Sequence, residues 1–142
     1  MNVGPTGRGD FDPRAVAALE VYAKWMKRHQ NAIDGCEAAP AEFRAPSGGV
    51  FTFNATKNRL YLHILAWPFE QLHLDEMASR IEYAQFLHDA SEVQWSETAV
   101  LGNADAGEHA ALSESQKAGT LTLKLPVKMP DVVVPVIELW LK

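Results

Sequence analysis

The sequence is poor in three features that would direct a search for function. It has one cysteine, Cys36, which excludes an internal disulfide and supplies at most one metal ligand. No apolar run approaches the ~20 residues that a membrane-spanning helix needs. Lysine and arginine do not cluster, and the net charge is −5, which argues against a surface for nucleic acid or anionic membranes.

The remaining composition is that of a globular protein. The chain has 142 residues, 47% of them hydrophobic and 22% charged, so disorder is excluded as its main state. This length allows one ordinary domain, or one small domain with a fragment of another. The first ten residues contain glycine, proline, arginine and aspartate where a secretion signal has an apolar core, so no such signal is visible.

Residues 13–29 have the spacing of an amphipathic helix. Asp12 is suited to cap its N-terminus, and Pro13 at the first helical position loses no hydrogen bond. Basic residues 27–29 suit the negative end of the helix dipole. Projected on a helix, one apolar arc covers about half the circumference, and Val21 is the main apolar residue outside it. The arc comprises Ala15, Val16, Ala18, Leu19, Tyr22, Ala23, Trp25 and Met26.

Beyond residue 49 the apolar period changes from 3.6 to 2, which predicts strands. Residues 36–49 contain two prolines and a Gly-Gly pair and are predicted to be a connector, and residues 102–118 to be a long hairpin loop. Residues 56–58 predict a turn between the first two strands, and the second strand, apolar on both faces, is expected to be central. The predicted strands are 50–54, 59–67, 72–74, 81–87, 93–95, 120–125 and 132–141. The predicted fold is mainly β, an antiparallel β-sandwich preceded by one long amphipathic α-helix.

Candidates for catalysis each have a simpler explanation. Asp75 and Glu76 are adjacent, but neighbouring side chains point apart, so a solvated turn is the better interpretation. His63 lies in an apolar strand and is expected to be a hydrogen-bonded interior side chain. Ser91 near His88-Asp89 has the residue types of a triad without a nucleophile elbow. The histidines form no short ligand pair, so the sequence predicts no catalytic residue, no metal site and no cofactor.

Three aromatic residues are candidates for contact with carbohydrate. Trp67, Phe69 and Trp95 lie near strand ends, where they could form a sugar-stacking platform. Core and edge packing is the more common role of tryptophan in a small sandwich, so both interpretations remain open.

Several motifs, in order along the chain, resemble the C-terminal part of the α-L-fucosidase family of glycoside hydrolases. Residues 2–9 (NVGPTGRG), 24–27 (KWMK) and 31–35 (NAIDG) are similar to the end of its catalytic barrel. Five further segments are similar to the C-terminal domain of that family. They are residues 58–63 (NRLYLH), 67–68 (WP), 92–95 (EVQW), 121–126 (LTLKLP) and 130–131 (PD). Each motif alone has modest specificity for the family, but the order and spacing of all the motifs make the match strong.

The resemblance implies a division of the chain and a role. Residues 1–35 correspond to the last loop and helix of a (β/α)8 barrel, 36–49 to a linker and 50–142 to the C-terminal sandwich. The family performs retaining hydrolysis of terminal α-L-fucosides with an aspartate nucleophile that lies upstream of these motifs. No catalytic residue is therefore carried over, and we expect a fragment that is inactive alone and meets fucosylated glycans only through the intact enzyme.

Two further expectations concern partners. The alternative function is a freestanding carbohydrate-binding module that uses the three aromatic residues. Because exposure of a large apolar side chain forgoes roughly 1.5–3 kcal/mol, we also expect the apolar face of the helix to dock on the sandwich or on a second copy of the chain, which gives a homodimer.

Overall fold

The computed structural model describes residues 4–98 and 119–142. The predicted hairpin loop at 102–118 lies outside these residues. The elements are α1 (Pro13–His29), a single 3-10 turn (Gln30–Ala32), β1 (Glu37–Ala38), β2 (Gly49–Asn54), β3 (Arg59–Ile64), β4 (Gln71–Leu74), β5 (Ile81–Phe86), β6 (Trp95–Glu97), β7 (Leu121–Lys124) and β8 (Val136–Leu141).

Helix α1 has the bounds that the sequence predicts. The Asp12 carboxylate accepts a hydrogen bond from the backbone N–H of Arg14 at 2.8 Å, which satisfies one free donor of the first turn. Pro13 occupies the first helical position, and Lys27, Arg28 and His29 form the last turn. Local capping chemistry therefore determines both ends of the helix.

The larger sheet has five strands in the order β1-β2-β3-β8-β5, with antiparallel pairs throughout. Strand β3 lies between β2 and β8 and is buried from Leu60 to Ile64, so its predicted central position is confirmed. The turn that joins β2 to β3 is closed by the Asn54 side chain, which accepts from the N–H of Lys57 at 3.0 Å. Strand β1 lies within the segment predicted as a connector and extends this sheet through β2.

The smaller sheet has the order β4-β7-β6, and the core lies between the two sheets. Alternate residues of each strand contribute to it, as expected for two antiparallel sheets packed face to face. The fully buried members include Leu60, Leu62, Leu74, Met77, Ile81, Leu121, Leu123, Ile137 and Leu139. The predicted fold class, a β-sandwich with one preceding helix, is therefore confirmed.

The outer face of the larger sheet carries a second, smaller core. Tyr61 of β3 and Val136 of β8 pack there against Ala32 of the 3-10 turn, and all three are fully buried. Trp25 of α1, Cys36 and Leu87 cover this group. The end of α1 is therefore attached to the face of the sheet that points away from the main core. None of the helices in the described ranges is long and apolar enough to cross a membrane.

Replacement of Leu139 by alanine tests the main core. Leu139 is fully buried in β8, opposite Leu60 in the register of the sheet. We expect the free energy of unfolding to fall by ~2–5 kcal/mol, because a cavity remains where the side chain was. Urea unfolding measures the change, with Val127→Ala as the control, since Val127 is exposed. A loss for Leu139→Ala as small as that of the control would contradict this assignment of the core.

Candidate docking surface

Within the part of the chain that the structure describes, Glu138 is the buried carboxylate, and it belongs to a hydrogen-bond network. Glu138 accepts from the Tyr61 hydroxyl at 3.1 Å and from the Gln85 amide at 2.6 Å, one donor for each of its oxygens. The Arg59 guanidinium lies 4.0 Å from the first of these oxygens and 3.8 Å from the centre of the Trp140 ring. Burial and the neighbouring carboxylate raise the pKa of Tyr61 above its ordinary value. These contacts fix Glu138 in the sheet, and the sequence alone did not indicate them.

Ser91, His88 and Asp89 lie in contact, but their hydrogen bonds do not follow the pattern of a catalytic triad. The Ser91 hydroxyl donates to Asp89 at 2.7 Å, and His88 Nε2 lies 3.4 Å from the other Asp89 oxygen. Serine is thus bonded to the carboxylate, whereas a nucleophilic serine needs the imidazole as its base. The prediction that this is chance proximity agrees with the geometry.

Other suspected polar residues have structural partners. Asp75 accepts from the Thr120 hydroxyl at 3.4 Å, and Glu76 is exposed with φ of 60°. His63 is buried and its Nε2 lies 3.0 Å from the Thr52 hydroxyl, so it is the interior side chain that the sequence predicts. Among the residues that the structure describes, no three histidine, cysteine, aspartate or glutamate side chains are grouped to hold a metal ion.

The three candidate aromatic residues do not lie in one row. Trp67 is half-buried, stacks near Phe86 and donates from its indole to the Pro126 carbonyl at 3.2 Å. Trp95 begins β6 opposite Leu123 and packs on the main core. Phe69, which precedes β4, is 76% exposed. Strand β7 separates β4 from β6, so Phe69 and Trp95 lie by opposite edges of the sheet, and contact with carbohydrate stays a prediction.

The most distinctive surface is an apolar groove of about 810 Å³ between α1 and the outer face of the larger sheet, which we call the helix groove. Several side chains that line it are exposed to solvent: the exposed fraction is 57% for Tyr22, 62% for Leu65 and 69% for Val133. The helix contributes Ala18, Val21, Tyr22, Trp25 and Met26, and the rest of the chain contributes Ile33, Val50, Thr52, His63, Leu65, Val133 and Val134. An exposed apolar patch of this kind is typical of a protein-docking surface.

Helix α1 reaches the sandwich only through its last turn. The Trp25 indole donates to the Val134 carbonyl at 2.9 Å, and its ring stacks on His29 with centres 4.6 Å apart. One to two turns earlier, Leu19 and Tyr22 are exposed. Docking of the helix on the sandwich is thus observed for its C-terminal end, and docking on a second copy stays a prediction.

Val21 and His29 show where the helical projection was incomplete. Val21 was assigned to the polar side, yet it lines the helix groove. His29 was assigned to the charged last turn, yet it is fully buried. Neither position follows from the helical period alone, because each depends on where α1 meets the sandwich.

These features define a β-sandwich that carries an exposed apolar groove beside its preceding helix. A scan against protein-family models finds no match, and a search of curated proteins finds none. Solved structures do match. The α-L-fucosidase isoenzyme 1 from Paenibacillus thiaminolyticus shares 28% identity and superposes with a TM-score of 0.78 over 99% of this chain and 30% of its own.

Two further enzymes show the same fold at lower identity. The family GH29 α-L-fucosidase from Bacteroides thetaiotaomicron has 23% identity and a TM-score of 0.74, over 99% of this chain and 27% of its own. The Thermotoga maritima α-fucosidase has 17% identity and a TM-score of 0.66, over 97% and 29%. The resemblance to the α-L-fucosidase family is therefore confirmed, and the chain spans less than a third of the length of these enzymes.

Replacement of Trp25 by alanine tests the attachment of α1. Loss of the indole removes both the bond to Val134 and the stack on His29, and an isolated helix of this length is marginal in water. We expect the circular dichroism signal of the helix at 222 nm to fall while the urea transition of the sandwich remains cooperative. Tyr22→Ala, an exposed aromatic position of the same helix, is the control. Equal helical signals in the two variants would show that Trp25 is not the anchor.

Proposed function

We propose that this chain is the supporting sandwich of an α-L-fucosidase, with the last helix of the catalytic barrel attached, and that it has no hydrolytic activity by itself. The observation that carries the proposal is the helix groove, which is apolar and open. The fucosidases that this chain matches are more than three times the matched length, so their remaining portion supplies a protein of suitable size to cover such a surface.

The energetics of the helix groove support a protein partner. Val21, Tyr22, Leu65 and Val133 are each more than half exposed on its walls. Burial of a large apolar side chain is worth roughly 1.5–3 kcal/mol, so a partner that covers all four would gain several kcal/mol. A barrel whose neighbouring helix packs beside α1 would provide apolar side chains for this purpose, as helices of a (β/α)8 barrel form a continuous outer ring.

The described carboxylates support the absence of activity. Retaining hydrolysis requires two carboxyl groups held roughly 5–5.5 Å apart across the scissile bond. Glu138 is buried and its two oxygens accept from Tyr61 and Gln85, so it faces no substrate. Asp75 and Asp89 are engaged by Thr120 and Ser91 at the surface. Each of these three carboxylates is held by a structural contact, and we propose that the catalytic pair belongs to the portion of the enzyme that this chain does not match.

Incubation of the purified chain with an aryl α-L-fucoside tests the proposal. We expect no release of the aryl group above the buffer rate, because the proposal leaves the nucleophile and the acid to the part of the enzyme that this chain does not match. The full-length enzyme from P. thiaminolyticus serves as the positive control under the same conditions. Turnover that copurifies with the chain through a second column and is lost in Glu138→Gln would overturn the proposal and identify a catalytic carboxylate.

The alternative, a carbohydrate-binding module, is distinguished by titration with L-fucose. Exposed Phe69 is the described feature that favours it. We expect the indole N–H signals of Trp67 and Trp95 to stay unchanged in NMR spectra, because both rings pack on the core. The Trp25 indole, bonded to the Val134 carbonyl, is the internal reference. Saturable shifts at Trp67 or Trp95 that disappear in Phe69→Ala would favour the module instead.

A further inference from the structure

Three imidazoles lie at the junction between α1 and the sandwich. His29 ends the helix, His63 lies on β3 and His88 follows β5. The Trp25 ring contacts the first two, with ring centres 4.6 Å from His29 and 6.3 Å from His63. The rings of His29 and His88 are 6.4 Å apart. The same junction supplies the only described attachment of the helix, so the charge of these rings bears directly on its position.

The hydrogen bonds place a proton on Nδ1 of His29. That nitrogen lies 2.9 Å from the Trp25 carbonyl, and because a carbonyl oxygen only accepts, Nδ1 must donate. Nε2 is buried and has no hydrogen-bond partner among the described residues. A second proton on His29 would therefore sit on a buried nitrogen that faces no described acceptor.

The hydrogen bonds of His63 place its first proton on Nε2, the nitrogen opposite to that of His29. The Thr52 hydroxyl donates its single proton to the Ala32 carbonyl at 2.7 Å. It must then accept from His63 Nε2 at 3.0 Å, so the His63 proton lies on Nε2. A charged His63 would carry its second proton on Nδ1, on a ring that is buried beside Trp25.

The charged groups around this junction offer little compensation. On the helix, Arg28 is cationic and lowers the pKa of His29. Lys24 and Asp131 line the small cavity beside His29, one of each sign. Asp89 is next to His88, 3.4 Å from its Nε2, and His88 Nδ1 is buried without a partner. The nearest carboxylate contact thus belongs to His88, not to the rings that contact Trp25.

We propose that Trp25, His29 and His63 form an acid-sensitive latch, which holds the end of α1 on the sandwich while both imidazoles are neutral and releases it when they are protonated. The released state exposes the two rings to water, where their charge is solvated. The sandwich core contains neither ring and stays folded. The latch concerns contacts within this chain and does not depend on the proposed function.

The direction of the pH dependence follows from the two imidazoles. Burial lowers the pKa of His29, against the opposing bond to the Trp25 carbonyl, and His88 and Arg28 lower it further. Burial and the neighbouring His29 lower the pKa of His63, against the opposing contact with the Ala32 carbonyl. Both rings therefore take up protons more readily in the released state, where each imidazole has its ordinary pKa of 6.5. The attachment is fully present above pH 6.5 and weakens as the pH falls below it.

Hydrogen exchange at pH 7.5 and pH 5.0, corrected for the intrinsic rate, tests the latch. We expect several-fold faster exchange of residues 16–29 at pH 5.0, with β3 and β8 unchanged, because local opening exposes the helix alone. Unchanged exchange of the helix would overturn the proposal. Equal acceleration of the helix and both strands would overturn it as well, since that is unfolding of the whole chain.

Two variants assign the effect. In His29→Gln/His63→Gln the amides can still donate to the Trp25 carbonyl and the Thr52 hydroxyl but do not titrate, so the helix should lose its pH response. His73→Gln is the matched control, because His73 contacts Thr122 in the smaller sheet. A response that persists in the double variant would overturn the latch. If the double variant does not fold, the imidazole NMR titration of the wild type decides: midpoints below 6.5 for His29 and His63 support the latch, and midpoints at or above 6.5 overturn it.

Discussion

Burial of β3 and β8 on both faces is the constraint on which the rest of the structure depends. Leu60 and Leu139 point into the main core, whereas their chain neighbours Tyr61 and Glu138 point to the outer face and are also buried. A sheet that buries both faces needs a cover on each side. The smaller sheet covers one. The other is covered in two ways, by mutual contacts of polar side chains at one end and by the end of α1 at the other.

The two covers have different consequences. Around Glu138, each carboxylate oxygen has its own donor, so that part of the face is closed without help from another element. Near Val136 and His63, the Trp25 ring covers the outer face. The earlier turns of α1 form one wall of the helix groove, and apolar side chains on the sandwich side, such as Val50 and Leu65, form the other. The helix groove is thus the part of the apolar outer face that the attached end of α1 leaves uncovered.

Local features of the fold could be predicted from the sequence, and contacts between distant residues could not. Asp12, Pro13 and the basic last turn determine the helix, and period-2 alternation locates the strands. The second strand was predicted to reach residue 67 but ends at Ile64, because the Leu65 and Ala66 N–H groups both bond to the Gly48 carbonyl. The bonds between Glu138 and Tyr61, and between Trp25 and Val134, join residues 77 and 109 positions apart. No periodicity indicates such pairs, which is why the network around Glu138, the Trp25 anchor and the burial of His29 were not predicted, whereas the interior position of His63 was.

The latch and the helix groove share side chains, and this links acidity to docking. Trp25 and His63 belong to both. A protein that fills the helix groove binds only the attached arrangement of α1, because the groove has the helix as one wall. By linkage, such a partner stabilises the neutral imidazoles, and the neutral imidazoles strengthen the binding of the partner by the same factor. The isolated chain should therefore be more sensitive to acid than the same chain with its helix groove covered.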